Sequence, residues 1–215
     1  MNNLFLENIR VSNNNLSYRA QIFNTGCILL FGIIMGTFSK FLDCTPSNHL
    51  PYLFSILDIS NFLGRFAIWI FLAVCISVFS SSPARAAVNV FVFFAGMVTS
   101  YYLYSKFIAG FFPRSYALIW AGFTAVSPIL AFICWYARGN GIIAVGISSG
   151  IIAVLFNSAF GYGIGYFHMS YLPEFLVLTA GILLLRRPGK GTLVMLGCGI
   201  IMAFILNFAA LYRFW

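Results

Sequence analysis

Three polar residues stand close together in an otherwise apolar stretch of the chain. Asp58, Asn61 and Arg65 follow one another at spacings of three and four positions, which would place them on one face of a continuous helix. An arginine at the centre of a membrane helix costs about 2.5–3.5 kcal/mol to insert. Arg65 must therefore face an acid, a wet cavity or the interior of a helix bundle, unless it snorkels to the interface. Three interpretations stay open: a ligand site, a structural ion pair and a snorkelling arginine.

In the ligand-site interpretation, Arg65 anchors an anionic group and Asp58 and Asn61 orient it. Lys40 and Asp43 can pair at a spacing of three near the end of the first apolar segment. With His168 and Glu174, they are the residues we place at the entrance of this site. The alternative for Lys40 and Asp43 is an ion pair that caps a packing face.

Small residues and asparagines mark the faces on which helices should pack. Gly32-x-x-x-Gly36 in the first segment is the pattern that lets two backbones approach closely in lipid. The fifth and seventh segments carry the other predicted packing residues, Gly146, Gly150, Asn157, Gly199 and Asn207.

Motifs typical of soluble enzymes and of metal sites have little support in this sequence. Gly146-Ile147-Ser148-Ser149-Gly150 fits G-x-S-x-G, but that motif acts on a strand-to-helix turn and here it lies within an apolar helix. No H-E-x-x-H or tight histidine cluster is present. We therefore predict no catalytic residue, no metal and no cofactor, and we do not favour an enzyme.

The composition requires lipid as the solvent for these segments. Of 215 residues, 61% are hydrophobic and 7% are charged, whereas soluble domains carry about 25% charged residues. The formal charge of +8 comes from scattered single cations and forms no basic stripe. We therefore expect contacts with membrane lipids and exclude nucleic acid as a partner.

The apolar segments predict an all-α polytopic bundle of about seven transmembrane helices. A span needs about 20 mostly apolar residues. The segment Pro173–Leu185 is short, so six helices is the main alternative. Residues 1–19 form a polar cytoplasmic segment and residues 20–215 a single transmembrane domain. The predicted spans are Ala20–Phe41, Leu53–Phe79, Ala86–Ser105, Tyr116–Ala137, Ile142–Phe160, Pro173–Leu185 and Thr192–Tyr212.

The basic residues between the spans predict the orientation. With the N-terminus inside and the C-terminus outside, seven cations face the cytoplasm and four face outward, as the positive-inside rule favours. The expected location is a bacterial cytoplasmic membrane. The inner cations are Arg10, Arg19, Arg85, Arg138, Arg186, Arg187 and Lys190, and the outer ones are Lys40, Lys106, Arg114 and Arg213.

Short motifs give the chain two resemblances. It resembles an uncharacterised family of small bacterial polytopic membrane proteins through Asn61-Phe62, Arg85-Ala86-Ala87, Tyr101-Tyr102 and Ser127-Pro128. That family has no established activity, so the resemblance implies a fold and a location only. A weaker likeness, through Gly32-x-x-x-Gly36, is to the substrate-binding subunits of energy-coupling vitamin transporters.

The leading hypothesis is an outward-opening component that binds or transports a polar or anionic small molecule. One alternative is a subunit that does not transport and instead docks another membrane protein through its glycine stripes. A second alternative is a membrane enzyme that acts on a lipid-type substrate, for which only Asp58, Glu174 and His168 could supply acid–base groups.

Overall fold

The computed structural model describes residues 9–12, 17–163 and 165–209. Most of the predicted polar segment 1–19, the end of the predicted seventh span and Arg213 lie outside the described residues. The helices are α1 (Tyr18–Asp43), α2 (Tyr52–Ile56), α3 (Ile59–Gly64), α4 (Phe66–Phe79), α5 (Pro83–Phe107), α6 (Arg114–Trp135), α7 (Gly141–Ala159), α8 (Leu172–Leu185) and α9 (Gly191–Phe208), with 3-10 turns at Ser47–His49 and Tyr136–Arg138.

The predicted helical fold is confirmed in its broad form. Helices make up 79% of the structure, and within the described ranges five of them are long and apolar enough to cross a membrane. Two further apolar helices, α4 and α8, are shorter. The number of spans and the N-in, C-out orientation stay predictions. The five long helices are Tyr18–Asp43, Pro83–Phe107, Arg114–Arg138, Gly141–Ala159 and Gly191–Phe208.

The helix ends follow from local sequence. The Ser17 hydroxyl accepts a hydrogen bond from the Ala20 amide at 3.3 Å and caps α1. The Ser82 hydroxyl caps α5 through the Arg85 amide at 3.2 Å, and Pro83 takes the first position, where no amide hydrogen is needed. These polar caps lie where the hydropathy pattern places loops.

The predicted second span is wrong as one continuous helix. Asp58 lies between α2 and α3 with φ +50°, a left-handed conformation that aspartate tolerates better than most residues. A second interruption falls at Arg65, between α3 and α4. Leu53–Phe79 is therefore three helices.

An antiparallel hairpin follows α7, although the sequence predicted helices alone. Its strands are β1 (Phe160–Gly163) and β2 (Tyr166–Met169). Gly161 is paired with His168 and Gly163 with Tyr166, and a Cβ on either glycine would come within 2.6 Å of the partner's ring. The glycines thus make room for the rings to cross the neighbouring strand.

Helix contacts divide the described chain into two compact units. Unit I contains residues 12, 17–64 and 76–135, and in it α5 packs against α1 and α6. Unit II contains residues 9–11, 65–75, 136–163 and 165–209, and in it α7 packs against α8 and α9. The single transmembrane domain stays a prediction.

Candidate functional site

Arg65 stands at the bend that opens α4 and belongs to unit II. The prediction that it shares one continuous helical face with Asp58 and Asn61 is wrong, because the chain leaves the α-helical path at Asp58 and again at Arg65. Spacings of three and four positions align side chains only along an unbroken helix.

Within unit II, Arg65 forms an ion pair with Glu174 of α8. Arg65 Nη1 donates to Glu174 Oε1 at 2.6 Å. The Glu174 side chain is 1% exposed, whereas 31% of the Arg65 side chain remains accessible. The sequence placed Glu174 at the entrance of a site, whereas in the structure Glu174 is the buried partner of Arg65.

Tyr171 completes this cluster. The Arg65 guanidinium carbon lies 3.5 Å from the centre of the Tyr171 ring, which is the geometry of a cation–π contact. Such a contact holds the flat guanidinium by its face and leaves its edge to bind carboxylates. No sequence pattern singled out Tyr171, although its position three residues before Glu174, an acid in an apolar segment, was a usable signal.

Glu174 lies in the first turn of α8, just after Pro173. The helix dipole favours a negative charge at this end. Its second carboxylate oxygen, Oε2, is buried and has no hydrogen-bond partner. Among the described residues of unit II, Glu174 is the only acid. The cluster therefore combines a reachable cation, an aromatic face and a carboxylate oxygen that is not satisfied.

Asp58 and Asn61 remain close to each other in unit I. The Asn61 side-chain amide donates to both Asp58 carboxylate oxygens, at 2.9 and 3.0 Å. This contact fixes the aspartate at the interruption between α2 and α3, so a local structural role accompanies any role in binding.

Lys40 and Asp43 form an ion pair in unit I, at 2.5 Å. The Lys40 side chain is 3% exposed and that of Asp43 is 50% exposed. The Lys40 ammonium also lies 5.0 Å from the Tyr101 ring centre and 4.5 Å from that of Phe111, and the Tyr101 hydroxyl donates to Asp43 at 3.2 Å. Aromatic rings and a carboxylate thus hold this cation, which is the structural arrangement that the sequence left as the alternative.

His168 lies on β2 with an exposed side chain. Its ring centre is 5.9 Å from that of Tyr166, and its imidazole covers Gly161. Within the described residues no group of three or more His, Cys, Asp and Glu side chains gathers in a way that could hold a metal ion.

The glycines of α1 lie directly against α5. A Cβ on Gly32 would overlap the Phe93 carbonyl oxygen, and one on Gly36 would overlap the Met97 carbonyl oxygen. The Ser100 hydroxyl donates to the Ile33 carbonyl at 3.0 Å across the same contact. Close backbone approach of this kind is the use of G-x-x-x-G in lipid.

Three of the predicted packing residues of α7 and α9 contact neighbouring elements of unit II, namely Asn157, Asn207 and Gly199. The Asn157 amide donates to the Ala203 carbonyl at 3.1 Å, and the Asn207 amide donates to the Tyr162 carbonyl at 3.1 Å. A Cβ on Gly199 would lie 3.1 Å from Ile152. Gly150 is looser, since its Cβ would meet only Met202 at 3.7 Å, and a Cβ on Gly146 would meet no atom within 4 Å.

Two arginine networks could not be predicted from sequence patterns, because most of their acceptors are backbone carbonyls. Arg187 donates to Gly139 O at 2.8 Å, to Ala137 O and to Ser148 Oγ, and burial lowers its pKa. Arg85 donates to the Gln21 carbonyl at 2.7 Å. Both networks tie helix ends together and supply no reactive group.

The Arg65–Glu174–Tyr171 cluster is the candidate site that these contacts support best. Comparison with protein-family models, with curated proteins and with solved structures finds no match for this chain.

Proposed function

We propose that this chain is a multi-pass protein of a bacterial cytoplasmic membrane that binds an anionic small molecule at Arg65 and takes part in its transport from the outer side. The observation that carries the proposal is the Arg65–Glu174 pair, in which the cation is partly exposed and the acid is buried. A ligand can therefore reach part of the Arg65 side chain, whose charge is paired with the buried Glu174.

The unsatisfied oxygen of Glu174 favours a functional pair over a structural one. A pair kept for packing alone gains most when both charges are desolvated together and every oxygen is hydrogen-bonded. Here Oε2 has no partner and the arginine is 31% exposed. Incomplete satisfaction of this kind is a common cost of a binding site.

The alternatives receive less support from the contacts. The partner-subunit hypothesis used Gly32 and Gly36 as a docking stripe, and α5 of the same chain already covers both. The enzyme hypothesis relied on Asp58, Glu174 and His168 for acid–base groups, and the Glu174 carboxylate is paired with Arg65. The roles predicted for Asp58, Asn61, Lys40, Asp43 and His168, and the two family resemblances, stay predictions.

Native mass spectrometry of the detergent-purified protein tests the proposal. We expect the wild type to carry a small molecule that Arg65→Gln lacks, since the variant removes the charge that would hold an anion. Arg114→Gln is the matched control, because Arg114 is an exposed arginine at the start of α6 and its loss changes the net charge equally. The control should retain the ligand.

Two results would contradict the proposal. One is a wild type that arrives bare, or with only lipid or a second protein bound. The other is an Arg65→Gln variant that keeps the same small molecule as the wild type.

A further inference from the structure

The Glu174 carboxylate binds Arg65 with the same chemical group that a carboxylate ligand would offer. Its Oε1 binds the edge of the Arg65 guanidinium, and Tyr171 covers one face. An arginine edge binds planar carboxylates through its N–H groups. The chain therefore already shows which chemical group this edge accepts, and Glu174 competes for it from within the protein.

A proton at Glu174 would remove that competition. Oε2 is buried without a hydrogen-bond partner, so the carboxylate loses little hydrogen bonding when that oxygen is protonated. Neutral Glu174 would bind the guanidinium less strongly, because protonation removes the attraction between the two opposite charges.

We propose that Glu174 is a proton-binding site and that its protonation admits a carboxylate ligand to Arg65. This inference rests on the proposed function and adds the proton as the coupling ion. A solvent proton adds to the Glu174 carboxylate to give the acid, the Glu174–Arg65 ion pair separates, and the ligand carboxylate forms a new ion pair with Arg65. One proton and one carboxylate enter together, so the net charge of the site does not change.

The other charged groups of unit II lie away from this end of α8. Arg186, Arg187 and Lys190 follow its far end, and α8 has 14 residues, a length of about 21 Å. Arg10 follows Ile9, whose carbonyl accepts from Asn140 at the N-terminus of α7. Arg138 ends the 3-10 turn that precedes the same N-terminus. Neither α7 nor α9 contains an acidic, basic or histidine residue.

The remaining titratable groups near the Glu174 end can be named. Phe160 of the hairpin contacts Phe175 of α8, and the hairpin carries Tyr162, Tyr166 and His168. Arg65 and Tyr171 contact each other beside Glu174. His168 is the histidine of this set, so His168→Gln controls for its contribution.

Infrared spectroscopy of the protein in lipid nanodiscs tests the inference. The carboxylic acid band is followed from about pH 8 to about pH 4, a range that brackets ordinary carboxyl titration. The wild type and His168→Gln should gain a band that Glu174→Gln lacks. Carbon-13-labelled acetate, the probe ligand, should move the midpoint of that band to higher pH in the wild type, because two ligands that favour each other do so reciprocally.

The variants sharpen the test. In Arg65→Gln the band should appear at higher pH than in the wild type and should not respond to acetate, because the cation that stabilises the carboxylate is gone. Above the midpoint, acetate affinity of the wild type should fall about tenfold per pH unit, as one linked proton requires. Glu174→Gln, which resembles the protonated form, should bind acetate with no such dependence.

Two results would overturn the inference, and both are separable from failure of the proposed function. The first is the absence of a Glu174-dependent band anywhere in the range where the wild type stays folded. The second is a band that acetate does not move. If the wild type carries a small molecule that Arg65→Gln lacks and either of these results is also found, the proposed function stands and only the proton coupling at Glu174 is refuted.

Discussion

Glu174 lies in the first turn of α8 with 1% of its side chain exposed, and its partner is 109 positions away in sequence. The sequence predicts that Arg65 needs an acid or a wet cavity, because an isolated charge in the membrane is costly. Helical spacing relates only neighbours along one helix, so it could not identify a partner on a distant one. The sequence therefore predicted that Arg65 needs a partner, whereas only the packing of unit II identifies Glu174 and Tyr171 as its partners.

A double-mutant cycle measures this pair. Arg65→Gln and Glu174→Gln should each lower the free energy of unfolding, and the double variant should lose less than their sum, with a coupling of about 0.5–3 kcal/mol. The reason is that either single change already removes the Arg65–Glu174 ion pair, so the second change cannot remove it again. Unfolding of the detergent-solubilised protein by SDS titration gives the change in unfolding free energy for each single variant and for the double variant.

Arg187→Gln combined with Glu174→Gln is the control cycle. Arg187 follows the opposite end of α8 and binds the carbonyls of Ala137 and Gly139. Arg187→Gln should lower the free energy of unfolding, and this loss should add to the loss that Glu174→Gln causes. Additive losses for Arg65 and Glu174 would contradict the ion pair.

At the scale of helices, the hydropathy pattern predicted where most helices lie but not where they are interrupted. The helices α1, α5, α6, α7 and α8 begin and end within a few residues of the predicted spans. The second span is three helices because Asp58 adopts a left-handed conformation, which an apolar stretch does not reveal. The hairpin after α7 depends on cross-strand contacts between rings and glycines, and a helical pattern contains no signal for those.

Gly36 and Gly146 provide a matched test of helix packing. Gly36→Ala should lower the free energy of unfolding by about 1–3 kcal/mol, since the new methyl group would overlap the Met97 carbonyl and push α1 from α5. Gly146→Ala should be neutral or slightly stabilising, because its Cβ meets open space and alanine favours a helix. Thermal unfolding in one detergent compares them, and equal losses would refute the close α1–α5 contact.

At the scale of the whole molecule, the described residues contain five helices that are long and apolar enough to cross a membrane, which is compatible with a multi-pass membrane protein. The basic residues add an orientation, and the predicted orientation puts Arg65 and the hairpin toward the outer side. The orientation comes from charge counting alone.

The most direct test of an outward-opening site is labelling of single cysteines by a membrane-impermeant thiol reagent. The five native cysteines are first replaced by serine, and cysteine is then placed at His49, Arg65, Tyr166 or Lys190. We predict that intact cells label His49→Cys, Arg65→Cys and Tyr166→Cys, whereas Lys190→Cys reacts only after lysis. Labelling of Lys190→Cys in intact cells, with the other three protected, would contradict the account.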